Sequence, residues 1–471
     1  MDLQITVLPW PKCIVLLADP AAIKELTCLL TFGLQVITSR AKFPKPVDLY
    51  APFAFFGANI VTSEGEEWRK YRKRCSPAFS NRNNKLVWDE TIRIMADLFG
   101  QVWDDGSEIV VDHFLDVTVP IALFVIGVAG RFGRRVTWAD DLTVPPGHQL
   151  TFKDAFHVLS TNLIMKIILP DWAKNITDRT RKVHLAFVEL KQYMLEMVEA
   201  RRNGNKAEQC FDLLSGLLGA SQDDPNNGAT LILPTILGNM FIFLLAGHET
   251  TAHTLCFSFA LLALYPDEQE RLYEHVKGVL SSLNGTPAYE DMSRFTYALA
   301  VLFETLRMFP PAPVIPKVAA EDTTLTVSNA EGGQTTFPVP SGTEIHLHVA
   351  GLHYNPRYWK DPHRFRPERF LGDWPKDAFI PFSQGISQSH QDSLSMSQKR
   401  IAGARACLGR RFFETQGIAV MAMLVSKYKI EIKEEPQFAG ETFEERYARI
   451  TAFEQVLTTT PLRVPLVLRR R

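Results

Sequence analysis

Cysteine is sparse and scattered in this 471-residue chain: Cys13, Cys28, Cys75, Cys210, Cys256 and Cys407 are its six, and none forms a C-x-x-C pair. That spacing excludes a zinc ribbon and a dithiol redox site, and a disulfide framework is not expected in a chain this long. The first five read as reduced, cytosol-facing thiols. Neither sign of charge is in excess, with 51 Lys and Arg against 52 Asp and Glu. Phosphate backbones are bound by a surplus of basic side chains, so no nucleic-acid partner is expected. The N-terminus, MDLQITVLPWPKCIVLLADP, lacks the basic leader and long apolar core of a signal peptide. Its run CIVLL is too short to span a bilayer. Internal repeats are absent too.

What remains is an ordinary globular composition, 46% hydrophobic and 22% charged, on a chain long enough to bury a large core. Apolar residues recur at helical spacing over 88–103, 181–202 and 267–283. Strands are expected near the start and between about residues 310 and 350; IVLLADPAAIKEL reads as a strand, a turn at Asp19-Pro20 and a helix. The polar stretches RRNGNKAEQ and SQDDPNNGAT read as loops around a short helix. The longest apolar helix runs from Pro234 to Tyr265. Glu249, His248 and His253 sit mid-span, where ionisable groups are costly in lipid, so it reads as a core helix.

That helix carries AGHETT, Ala246 to Thr251. His248 and His253 are about 140° apart around a helix, which defeats the i, i+4 zinc pattern. Small Ala246 and Gly247 leave room for a large body against the backbone, with the acid Glu249 and the hydroxyl of Thr250 beside it. The group suits proton delivery to a ligand. The bland alternative is a threonine bonding the carbonyl four residues back in a kinked helix.

FETLR places Glu304 and Arg307 three apart on one helix face, with Arg369 of RFRPERF as a candidate third member. On spacing alone, such a pair is an ordinary surface ion pair worth a few tenths of a kcal/mol; its apolar neighbours Ala300, Val301, Leu302, Phe303, Leu306 and Met308 leave open a buried pair, which would need further partners and cost about 3–5 kcal/mol to break. Cys407 stands in GARACLG, just before the helical run RRFFETQGIAVMAMLV. A helix N-terminus and turn amides favour a thiolate there. One thiolate without a second Cys or nearby His fits an axial haem ligand better than zinc. A nucleophilic cysteine is the alternative, with no His in a recognisable local signature to serve it.

In this order and spacing the motifs resemble those of the cytochromes P450, the haem-thiolate monooxygenases, over nearly the whole chain, and fungal microsomal members most of all. AGHETT looks like their oxygen-binding motif, ETLR like their E-x-x-R, PERF like their P-x-R-x, and EGEEWRKYRKRCSPAFS like their W-x-x-x-R helix. GARACLG matches the second half of their F-x-x-G-x-R-x-C-x-G loop. The resemblance implies one P450 domain over residues 1–471, mainly α with a small β lobe, a long central helix and haem b buried against the Cys-containing loop. It implies Cys407 as iron ligand, with Gly409 and Phe382 framing the loop, and Trp68, Arg72, Arg405 and Lys317 around the haem propionates. Ala246 and Gly247 would let the cofactor approach the helix backbone, and Glu249 and Thr250 would help protonate dioxygen so that its O–O bond splits. Glu304, Arg307 and Arg369 would be structural. Phe241, Phe243 and PAPVIP (311–316) would line an apolar pocket.

The implied partners are dioxygen, a small lipophilic substrate, and a cytochrome P450 reductase that passes on electrons from NADPH and docks near Lys399, Arg400, Arg410 and Arg411. The implied place is the cytosolic face of the endoplasmic reticulum membrane, though the N-terminal anchor and Pro-rich hinge of such relatives are not seen in this sequence. A haem-thiolate isomerase or dehydratase, or a fold that cannot hold haem, are the alternatives. The last arises from ISQSHQDSLSMSQKRIAG, residues 386–403, which interrupts the loop. Without it PFSQG joins ARACLG, and the pattern from Phe382 is complete. Five serines and three glutamines give it little to bury. It begins after one glycine and ends on another, as an in-frame retained intron would leave it; a genuine looped-out insertion is the other reading.

Overall fold

Apolarity on every side of one stretch decides the centre of the molecule. Such a helix must be covered all round. In the computed structural model, which describes residues 2–6, 12–27, 42–129, 138, 143–203, 213–219, 229–283, 286–328, 333–383 and 405–471, residues Ala229–Leu264 form a single 36-residue helix. Leu244, Leu255, Phe259, Leu261 and Leu262 on it are fully buried. Burying such side chains stabilises by about 1.5–3 kcal/mol each. The principal helices are α1 (Pro20–Thr27), α2 (Gly65–Cys75), α3 (Asn81–Asp97), α4 (Leu115–Ala129), α5 (Phe152–Thr161), α6 (Asp178–Asn203), α7 (Ala229–Leu264), α8 (Pro266–Ser281), α9 (Thr296–Met308) and α10 (Arg410–Lys427). The helices expected over 181–202 and 267–283 match α6 and α8 to within three residues. The one expected over 88–103 begins seven residues earlier, where Ser80 accepts from the Asn83 amide. Residues 201–203, read as loop, continue α6.

Sheet structure gathers in a smaller lobe. Four strands, β1 (Asp2–Thr6), β2 (Lys12–Leu17), β4 (Val314–Val318) and β7 (Glu344–His348), pair in the order β1-β2-β7-β4. Only β2 and β7 run parallel. β5 (Thr323–Ser328) and β6 (Gln334–Val339) form a hairpin. β3 (Glu108–Val111) and β8 (Tyr428–Ile432) flank β11 (Leu466–Arg470), while β9 (Phe453–Gln455) pairs with β10 (Thr459–Pro461). The helical core and the sheet-lobe core are separate apolar clusters, and Phe370 and Phe379 pack against both. The fold is therefore mainly α with a small β lobe.

Two glycines set where the loop before α2 meets the central helix. A Cβ on Gly238 would fall 2.3 Å from the carbonyl oxygen of Gly57, and one on Gly57, at φ +134°, would fall 2.1 Å from that of Pro234. Backbone meets backbone there, and the Ile60 N–H donates to Asn239 Oδ1 at 3.0 Å.

Candidate active site

The cysteine loop is held from both sides. The Cys407 N–H donates to the Phe382 carbonyl at 3.0 Å, although residues 384–404 lie between them. The segment 386–403 is outside the described residues. Phe382 rests 5.7 Å from Phe413 of α10, with the Arg410 guanidinium 5.4 Å over its ring. The backbone amides of Gly409 and Arg410 donate to the sulfur at the start of α10. Arg72 of α2 donates to the Ala406 carbonyl at 2.8 Å, so it braces the loop. Cys407 is reachable by solvent, yet protein encloses it closely enough for burial to dominate its thiol. Burial pushes the thiol up, against the pull of the two amides, Arg72 and Arg410. A thiolate here calls for a cation in contact with it, as metal ions provide.

Beside the loop lies a set of cations. Arg405 stacks 4.2 Å over the Trp68 ring and donates to Glu64. The Lys45 side chain donates to the Val61 carbonyl and stands 4.9 Å over Tyr50. Burial first, then Arg405 and Lys317, bring Lys45 down to about 8, with Glu64 opposing. Burial raises Tyr50 to about 12, with Arg405 opposing. Lys317, on β4 opposite Ile345, thus shares its surroundings with Lys45 and Arg405. Sequence reasoning missed Lys45, Tyr50 and Glu64. The glycine after Glu64 was the one available signal.

On α7, Ala246 is exposed in a stretch whose neighbours are mostly buried. Gly247, expected to open the same notch, does something else: a Cβ there would meet Ile126 Cδ1 of α4 at 2.7 Å. Its lack of a side chain lets two helices close up. Thr250 does donate to the Ala246 carbonyl, at 2.7 Å, and that leaves its oxygen as an acceptor. His248 packs edge-on to Phe156 at 4.9 Å, and His253 pairs with Thr458 at 2.9 Å; burial keeps both neutral, near 3 and 4. No group of three metal-ligating side chains occurs among the described residues. Phe241 does not line an open face: it is sealed against Phe55 and Phe56. Phe243 is half-buried, 5.6 Å from Phe79.

Glu249 Oε2 has no hydrogen-bond partner, and burial pushes this carboxyl from 4.5 up to about 7. The folded state therefore binds more protons than the unfolded one between those values, and stability falls as pH rises through that window, by up to about 3 kcal/mol. Glu249→Gln is expected to match the parent protein in thermal midpoint at pH 4.5 and to exceed it at pH 8. A difference that does not grow with pH would show that Glu249 is not strained by its charge.

Glu304 and Arg307 are not the surface pair their spacing predicts. Both are fully buried. Arg307 grips Glu304 with two bonds, 2.7 and 3.0 Å, and donates to the His353 carbonyl at 2.9 Å. Arg369 Nε and the Arg366 amide also donate to Glu304, each at 2.9 Å. Arg369 spends its remaining donors on the carbonyls of Lys360, Asp361 and Arg364. His353 fastens the next turn, accepting from the Ile380 amide at 3.0 Å.

Residues 8–388 match the family model described as Cytochrome P450. The chain belongs to the cytochrome P450 family. The match stops inside the 386–403 segment, short of the cysteine. A curated relative, "Cytochrome P450 monooxygenase 124" of Postia placenta, is 50% identical over 465 residues, covering 98% of this chain and 84% of the relative. "Cytochrome P450 monooxygenase ORF6" of Penicillium roqueforti is 29% identical, covering 89% and 76%. The crystal structure of the cytochrome P450DA heme domain superposes with a TM-score of 0.75 at 22% identity, over all of this chain and 90% of that one, which shows the fold. As a P450 with fungal relatives, the protein is a haem-dependent monooxygenase that acts on an organic substrate with dioxygen. The residues present fit haem: a lone enclosed sulfur needing a cation, and a neighbouring set of cations suited to carboxylates.

Proposed function

We propose that Cys407 would hold the haem iron through its thiolate, and that Trp68, Arg405, Lys317 and Lys45 would hold the propionates while Arg72 braces the loop. The observation that carries this is the enclosed yet reachable sulfur, with two backbone amides aimed at it from the start of α10. Haem held by a thiolate supplies the activation of dioxygen for transfer of one oxygen atom to an apolar substrate. The side chains do the rest. Exposed Ala246 leaves room against the helix. Thr250, its own proton given to the Ala246 carbonyl, accepts and orients a proton donor. Glu249, held near 7, takes up and releases protons at neutral pH. This acid–alcohol pair favours the monooxygenase over an isomerase or dehydratase.

Electrons would come from NADPH through a reductase. Arg410 and Arg411 pair with buried Glu414, at 2.9 and 3.4 Å, so they offer less free charge than their sequence implies. Exposed Lys70 and Lys73 of α2, the helix whose Arg72 braces the cysteine loop, are the better docking charges. One experiment addresses the ligand and the electron path. Reduced by NADPH and a fungal reductase under carbon monoxide, the protein should give a thiolate-type spectrum, which Cys407→Ser should abolish. A thiolate spectrum retained by Cys407→Ser would sink the ligand assignment. A spectrum produced by dithionite and never by the reductase would sink the partner.

Among the described residues, no helix is long and apolar enough to cross a membrane. Even so, we place the protein on the cytosolic face of the endoplasmic reticulum. Between the short helix Leu163–Ile168 and α6, Trp172 and Ile176 are 78% and 62% exposed. Lys174, Arg179, Arg181 and Lys182 follow closely in sequence. Bulky exposed apolar tips with basic side chains nearby in sequence suit an anionic lipid surface. Brominated lipid in vesicles should quench fluorescence in the parent protein and much less in Trp172→Phe. Equal quenching in the two would remove this contact.

A further inference from the structure

Glu64 occupies the position before α2 where a short Ser, Thr, Asp or Asn side chain ordinarily caps the helix by accepting from its first amides. It makes no such bond. Its Oε1 instead takes Arg405 and its Oε2 takes the Lys45 amide, at 3.3 Å, so one carboxylate ties together two segments remote in sequence. The next residue explains how. Gly65 has φ +58°, in the left-handed region, and a Cβ there would meet nothing within 4 Å. Glycine is needed for the conformation and not for space. That turn carries Glu64 away from the helix it precedes and towards the cysteine loop.

Arg405 is consequently fixed on two sides, by the Trp68 face at 4.2 Å and by Glu64 at its edge. Planar guanidinium recognition of a carboxylate depends on such fixing. The charges also count. Lys45, Lys317 and Arg405 are mutually close enough for the last two to disfavour protonation of the first, and Glu64 is the carboxylate that favours it. Three cations and one anion leave a net charge of about two, which matches the two propionates of a haem edge.

We propose that Glu64 is a positioning residue for the haem: it sets the orientation of Arg405 and trims the charge of the propionate cluster. It therefore also lowers the reduction potential, because a nearby carboxylate favours the ferric state. This rests on the haem reading above.

The test uses the full chain loaded with haem. Haem transfer to excess apomyoglobin should be about 10- to 100-fold faster in Glu64→Gln, the loss typical when a supporting residue behind a metal site is removed. The midpoint potential should move positive. Glu66→Gln, two residues on and paired only with exposed Arg69 in the described contacts, should change neither. Arg405→Lys combined with Glu64→Gln should cost less than the sum of the two, since both remove one interaction. If Glu64→Gln is recovered unfolded, Glu64→Asp is read instead for haem release alone, because it shortens the reach but keeps the charge that sets the potential. Release and potential equal to the parent in the variant read would overturn the assignment. A parent protein that takes up no haem would instead overturn the haem reading itself.

Discussion

Glu304→Ala should leave little folded protein. Its carboxylate accepts from Arg307 twice, from Arg369 and from the Arg366 amide, with no solvent to take its place. Removing it leaves the buried Arg307 guanidinium without its counter-charge and takes one partner from half-buried Arg369, which costs about 3–5 kcal/mol. A domain's whole stability is about 5–15 kcal/mol, so the loss is a large share of it. Glu304→Gln keeps the shape, loses the charge and should cost nearly as much. The exposed pair Lys85–Glu290 is the contrast: solvent screens it, and cutting it should leave the midpoint within error of the parent. Urea unfolding followed by circular dichroism separates the cases. A Glu304→Ala midpoint within experimental error of the parent would mean that the network carries no stability.

Deletion of residues 386–403 should raise haem occupancy several-fold or more. The Cys407 amide and the Phe382 carbonyl meet at 3.0 Å, so the chain between them is a closed loop. Shortening it from about 24 to about 6 intervening residues lowers the closure cost by about 1.2 kcal/mol, or roughly eightfold in an equilibrium. A gain above that would mean that the segment also disturbs the backbone against the sulfur. The family match ends at residue 388, inside the segment. We infer an insertion the fold does not need, and an unspliced intron as its origin. Equal occupancy in the two proteins, or transcripts that always retain the segment, would rule this out.

The central helix could be read from the sequence because apolarity on all sides has one outcome. Glu304 and Arg307 could be paired from their spacing, but spacing says nothing of what covers a face, and His353 and residues 364–369 cover this one. Ala246 and Gly247 are adjacent in the chain and do opposite work. Which of them faces open space depends on Ile126, which no local pattern points to. Glu64 carries no motif of its own, and its partners Arg405 and Lys45 are remote in sequence. Lys45 and Tyr50 carry no motif and matter through where the chain folds them. Cys407 was legible as a ligand candidate from the helix behind it, while its raised thiol was not, because burial is a tertiary property.

The contact between Gly57 and Gly238 bears on how relatives of this enzyme can be recombined. Gly238 makes room for the Gly57 carbonyl and Gly57 for the Pro234 carbonyl, so a chimaera with a crossover between the two segments inherits the fit only when the two parents agree. A block carrying residues 51–63 should travel with residues 234–241, including Phe241 and Asn239, or the graft will meet a side chain where a carbonyl must sit.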